Sequence, residues 1–134
     1  VRGYYLDRNT SLMETLATVS AEVASQPVSQ RCASLAAQVE HTRFYLDVTI
    51  DAMLGQNVEG QDWDLIWRTV REVTPEEWAA SQARLRASCQ RLRALVSHPE
   101  EWGAQSAFGD ALAALVHTAF HLGQIRQALC TLMP

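Results

Sequence analysis

Residues 111–132 read ALAALVHTAFHLGQIRQALCTL, a stretch in which Arg126 is the sole Asp, Glu, Lys or Arg. Leu112, Leu115, Val116, Phe120, Leu122, Ile125, Leu129 and Leu132 follow no period-two alternation, so a strand is excluded and a long helix is predicted. Its start falls between Ser106 and Asp110, and it runs nearly to the C-terminus. Apolar residues surround this helix on almost every side, which places it centrally or at a subunit contact. A rod of this kind needs other elements to cover it, and the rest of the chain supplies helices.

Thr74-Pro-Glu-Glu77 marks the clearest helix start upstream. Thr74 can cap, Pro75 suits the first helical position because its missing donor has no partner there, and Glu76 and Glu77 favour the positive helix end. Trp78, Leu85, Leu92 and Leu95 follow at heptad-like intervals, and His98-Pro99 ends the element. A second helix is predicted from about Ser29 to Leu54, with Gly55 as its stop. The first helix starts near Ser11, where Ser11 and Glu14 have capping-box spacing, and Leu12, Leu16, Val19 and Val23 form one apolar stripe up to Gln26-Pro27. Between the second and third long helices lie a loop over 55–61 and a short helix capped by Asp62. The expected fold is therefore all-α, a four-helix bundle with a short extra helix in the 2–3 connection. The 134 residues form a single domain, 1–134.

Composition narrows the function. Net charge is −4 and no basic patch dominates, so nucleic acid is not an expected partner. No apolar run reaches the roughly 20 residues of a membrane span, and residues 1–5 carry no apolar leader core. All eleven basic residues are arginine, which excludes Schiff-base chemistry and a P-loop lysine. Cys32, Cys89 and Cys130 are scattered in helical patterns and read as reduced, packed thiols of a cytoplasmic protein. Arg84, Arg86, Arg91 and Arg93 read as a solvated face paired with acidic residues. Trp63, Trp67, Trp78 and Trp102 flank the loops and read first as seals of the bundle ends, with lining of a substrate pocket as the other reading.

His117 and His121 stand four apart. At about 100° per residue they differ by about 40° around the axis, so both imidazoles leave one face, one turn apart. Two imidazoles so placed can bind one metal ion. Asp110, Ala113, Ala114, Gln124 and Ala128 share that face, where small residues leave a hollow and polar ones face it. On the second helix, His41 lies on a similar stripe with Ser34, Ala37, Gln38, Tyr45, Val48 and Ala52. His98, beside Pro99 in a loop, is the weaker third partner. We therefore expect His41, His117 and His121 to form a three-histidine metal site. A zinc-protease reading fails because Thr118 stands where the general-base Glu is needed. A di-iron reading fails because neither stripe carries Glu, and Glu40 is turned about 100° from His41.

His117-Thr-Ala-Phe-His121-Leu-Gly-Gln-Ile125 resembles the H-x-x-x-H-x-G-Q-I signature of DinB-like/YfiT-like proteins. Val39-Glu-His41-Thr-Arg-Phe sits where that family's second helix carries a third histidine, and the resemblance in helix order and spacing spans most of the chain. The resemblance implies a four-helix bundle with His41, His117 and His121 as metal ligands. It implies an activity among metal-dependent hydrolases and transferases of low-molecular-weight thiols such as bacillithiol or mycothiol.

Three imidazoles and one open position match the catalytic zinc pattern, with nickel as the alternative metal. The open position serves either hydrolysis by a metal-bound hydroxide or transfer of a metal-activated thiol to an electrophile. Tyr45 and Gln124 are the candidate catalytic side chains, one donating to a developing oxyanion and the other orienting a ligand. Gln38 and Asp110 lie near them, Asp110 equally suited to capping the last helix. The substrate is expected to be a small molecule. The all-round apolar last helix and the resemblance predict a homodimer. The alternative is a non-catalytic, dimeric stress-response or binding module in which metal is structural or absent.

Overall fold

A computed structural model describes residues 8–133, and there the chain is all-α. The reading of residues 1–5 as free of a leader lies outside the described residues. The helices are α1 (Leu12–Leu16), α2 (Ala21–Ser25), α3 (Leu35–Met53), α4 (Leu65–Thr69), α5 (Pro75–Ser97) and α6 (Ala107–Leu132), with a 3-10 turn at Pro99–Glu101. The sole β-type pairing among the described residues is an isolated bridge between Pro27 and Ser34. None of these helices is long and apolar enough to cross a membrane.

The predicted first helix is two. The Ser11–Glu14 capping box forms as expected, but α1 stops at Leu16. Thr18 Oγ1 turns back to the Thr15 carbonyl at 2.9 Å, and Ser20 begins α2 by accepting from the Val23 amide at 3.2 Å. Local hydroxyl bonds compete with helix continuation in this way. The apolar stripe survives the break, since Leu12, Leu16 and Val19 are all buried. The Val19 carbonyl accepts from the buried indole N–H of Trp78 at 2.7 Å.

The second predicted helix also starts later than the sequence indicates. Residues 29–34 form a loop, and Ser34, not Ser29, caps α3 by accepting from the Ala37 amide at 3.2 Å. This moves Cys32 out of any helix and onto the surface. Cys130 is likewise exposed and Cys89 is half-buried, so packing is the fate of one of the three free thiols. Asp62 does not cap α4. It lies before Asp64, whose amide it accepts at 3.1 Å, and its other oxygen holds Arg68 at 2.6 Å.

α3 is the central element, packing along both α5 and α6 and touching α2 and α4. Its two long contacts differ in chemistry. Toward α5 it presents Glu40, Arg43 and Asp47. Ser81 and Arg84 donate to Glu40, and Ser88 donates to Asp47 Oδ1 at 2.7 Å. Burial alone would raise the Glu40 carboxyl pKa, but the hydrogen bonds from Ser81, Arg43 and Arg84 outweigh it and hold it low. Arg84 and Arg91 of the basic run thus pair with carboxylates of α3. Toward α6 it presents His41, and the alanines Ala37 of α3 and Ala114 and Ala128 of α6 are buried.

α6 is not covered on every side. Leu122 and Ile125 face the core, whereas Phe108, Leu112, Leu115, Val116 and Phe120 are exposed. A second cluster of Ile50, Met53, Leu95 and Ala107 closes one end, where the Gly103 amide donates to the Met53 carbonyl at 2.9 Å. Gly55 takes the left-handed conformation (φ 77°) that ends α3 and lets this loop lie against it.

Candidate metal centre

The close α3–α6 contact brings His41 opposite His117 and His121. One ring nitrogen from each lies within 4.8 Å of the others. The His41 and His117 Nε2 atoms are 3.1 Å apart. Two nitrogens bound tetrahedrally to one Zn²⁺ at about 2.05 Å would lie about 3.3 Å apart, so this spacing suits a shared cation. His41 is 5.0 Å from each of the other two rings by centroid, and His117 is 4.5 Å from His121. These three residues could hold a metal ion.

The rings are held from outside. Tyr45 stacks on His117 at 3.7 Å and 9°, and Trp67 lies 4.3 Å from His41. Phe120 meets His121 edge-on at 5.3 Å. Among the described residues, six buried side-chain polar atoms have no hydrogen-bond partner. Three are the Nδ1 atoms of these histidines, and a fourth is Gln38 Oε1, one turn before His41. Nδ1 points away from Nε2 in each ring, so a cation between the His41 and His117 Nε2 atoms would not reach the Nδ1 atoms, whose lack of partners records the burial of the rings.

Burial disfavours the charged form of every member. It pushes the His41 and His117 pKa values down to about 4, with repulsion from His121 adding to both and from His41 adding to His117. His121 is lowered by burial, against an opposing hydrogen bond with Gln124. The trio is therefore neutral at pH 7, the form that ligates a metal. A testable pH dependence follows. Above about pH 6.5 the folded and unfolded chains both carry neutral imidazoles. As pH falls from there toward 4, the unfolded chain takes up protons that the folded chain refuses, so the metal-free protein loses stability; below about 4 the loss from these groups levels off. Thermal melting of metal-free protein at pH 7.0, 5.5 and 4.5 should show a falling midpoint across this interval. A midpoint flat over it would contradict burial of neutral rings.

The histidines form one wall of a cavity of about 1170 Å³. Arg31, Gln38, Gln124, Gln127 and Thr131 add polar groups to its lining, and Val28, Ala33, Trp67, Ala119, Phe120 and Ala128 add apolar ones. Gln124 thus stands where the sequence reading put it. Tyr45 is brought to His117, but through its ring face, and it buttresses the imidazole rather than lining the cavity. Asp110 is away from the cavity, accepting from Ser106 at 2.9 Å in the first turn of α6.

Comparison with protein-family models, curated proteins and solved structures gives no match.

The site is therefore argued from its own residues. Sequence reasoning preferred sealing of the bundle ends for all four tryptophans. Trp78 does so, with its indole buried, and Trp102 donates to the Leu95 carbonyl at 2.9 Å. Trp67 is instead a cavity wall against His41 and His121. Val28, Arg31 and Cys32 at the cavity edge were missed. They belong to a loop the sequence places partly in helix, and no spacing rule aims a loop side chain at a distant histidine.

Proposed function

We propose that this chain is a metal-dependent enzyme of the DinB-like/YfiT-like type, with His41, His117 and His121 as ligands and Zn²⁺ as the first choice of metal, Ni²⁺ as the second. The convergence of three neutral imidazoles on the wall of an apolar cavity is the observation that carries this reading. The split α1–α2 segment, α3, α5 and α6 then stand for the four rods of the bundle. A bound divalent cation with one open position supplies Lewis acidity, which lowers the pKa of a nucleophile placed there. No Asp or Glu lines the cavity among the described residues, so the protein offers a water nucleophile no carboxylate base. This favours a low-molecular-weight thiol, which ionises readily beside a cation, as the group transferred to an electrophile. Gln124 beside His121 orients the incoming molecule, and Tyr45 keeps the His117 ring in place.

Incubating zinc-loaded protein with a low-molecular-weight thiol and a chloronitrobenzene electrophile tests the reading. Thiol should be consumed in a metal-dependent reaction that is absent in His117→Ala. Unchanged thiol, together with acid release from an aryl ester, would replace transfer with hydrolysis. Inactivity in both assays by protein with a full metal complement would favour the binding-module alternative.

The exposed apolar face of α6 is the proposed homodimer contact. From Ala111 to Ile125 it carries no Asp, Glu, Lys or Arg, so two copies can meet without burying an unpaired side-chain charge of that kind. A monomer mass by light scattering at micromolar concentration would refute it. The free thiols fit a reducing, cytoplasmic setting.

A further inference from the structure

A smaller cavity of about 400 Å³ adjoins the histidine cavity, and the two share Arg31, Cys32, Ala33 and Trp67. Arg71 also lines the smaller one, together with Ser25, Gln30 and Ser34. The chain carries 15 acidic against 11 basic residues. Four carboxylates lie within ion-pair distance of arginines among the described residues: Glu40, Asp47 and Asp51 against Arg43, Arg84 and Arg91, and Asp62 against Arg68. Arg31 and Arg71 have no such pair; Arg86, Arg93 and Arg126 also lack one, but Arg31 and Arg71 are the two that line these adjoining cavities. Neither guanidinium has a carboxylate within ion-pair distance among the described residues, and no Asp or Glu lines either cavity. The first turn of α3 forms part of the same wall, and its positive end adds to the potential there. Two uncompensated planar cations flanking a concave surface attract and orient an anionic group.

Beyond this edge the larger cavity turns apolar, with Trp67 and Phe120 on its walls, and at the histidines it offers the partnerless amide oxygen of Gln38. The sequence of environments is thus cationic, then apolar, then hydrogen-bonding beside His41. We propose that Arg31 and Arg71 form an anion-binding vestibule to the histidine cavity, which takes a small organic anion with an apolar body and an N–H or O–H group at its inner end. This rests on the enzyme reading for its meaning as a substrate class, while the vestibule itself requires no metal.

Two fluorescent probes separate the contributions. 8-Anilinonaphthalene-1-sulfonate has the anion, the apolar body and an N–H; N-phenyl-1-naphthylamine has the same body and N–H without the anion. The full chain, both zinc-loaded and metal-stripped, should bind the sulfonate more tightly than the neutral amine. The Arg31→Met/Arg71→Met double variant should lose about tenfold in sulfonate affinity and leave the amine unchanged. Arg31→Lys/Arg71→Lys should restore most of the loss, which a folding defect would not allow. Sulfonate affinity equal in wild type and the Met variant would overturn the vestibule, since adsorption to the exposed α6 face would not depend on these arginines. So would a parallel loss for both probes, or binding of neither. Zinc content measured on the same samples keeps the two readings apart. Wild type that binds no zinc but retains the arginine-dependent preference would sink the metal reading alone. Zinc-replete protein without the preference would sink the vestibule alone.

Discussion

His117→Ala should lower Zn²⁺ affinity on the order of 100-fold or more, because loss of a hydrogen-bonding partner behind a ligand already costs about 10- to 100-fold and here a ligand itself is removed. Isothermal titration of metal-stripped protein reads the change directly, and elemental analysis should find the variant without metal after dialysis. His41→Ala should behave alike, because its Nε2 faces that of His117 across the α3–α6 contact. His98→Ala is the control. That ring is exposed at the end of α5, with Nδ1 against the Ala94 carbonyl at 2.9 Å, and its loss should leave zinc binding intact. The fold should survive His117→Ala, since the ring's hydrogen bond is to His41 Nε2 alone and its Nδ1 has no protein partner. Wild type should melt higher when zinc is added, by about 2.7 kcal/mol of stabilisation at free metal 100 times the dissociation constant, and the variant should gain about 0.4 kcal/mol or less at that concentration. Zinc affinity equal in wild type and His117→Ala would show that the ring is not a ligand.

Gly103→Ala should be the most damaging small substitution, although it lies away from the histidines. A Cβ there would stand 2.3 Å from the Leu54 carbonyl oxygen and 2.6 Å from its carbon. Both atoms are backbone at the end of α3, so no side chain can swing aside. Relief requires the 99–106 loop to lift, which would break the Gly103 and Ala104 amide bonds to the Met53 carbonyl at 2.9 and 3.2 Å. Overpacking of this kind costs about 3 kcal/mol, or about 10 °C in melting midpoint for a chain of this size. Gly109→Ala makes the contrast. It lies on α6, where a Cβ meets nothing within 4 Å, and the change should be neutral or stabilise by up to about 1 kcal/mol. Equal melting of Gly103→Ala and wild type would mean that the loop does not pack against α3 as described.

Legibility in the sequence followed the range of the interactions. The start of α5 was readable because Thr74, Pro75 and Glu77 act on their own backbone within one turn, and the reciprocal capping box is present. The convergence on His41 was readable because helical periodicity carries a side chain's direction over many residues, so two stripes with the same chemistry pointed to a shared cavity. The break after Leu16 was not readable from the apolar pattern, which continues through it; its cause is the bonding of Thr18 and Ser20 to nearby backbone. The start of α3 was misplaced because Ser29 and Ser34 are both competent caps and only tertiary packing chooses between them. The exposed half of α6 escaped for a related reason. Composition shows that a face is apolar, and neighbouring helices decide whether it is covered. Arg31, Arg71 and Trp67 belong to the cavities through the course of loops and a short helix, which has no sequence period at all.

X-ray absorption at the metal edge of zinc-reconstituted protein tests the central claim most directly. The account predicts about one zinc per chain with three imidazole nitrogens at about 2.0 Å and a single further light atom, and fewer imidazoles in His41→Ala. A spectrum showing an all-oxygen shell without imidazole scattering, or a reconstituted chain that retains no zinc, would contradict it.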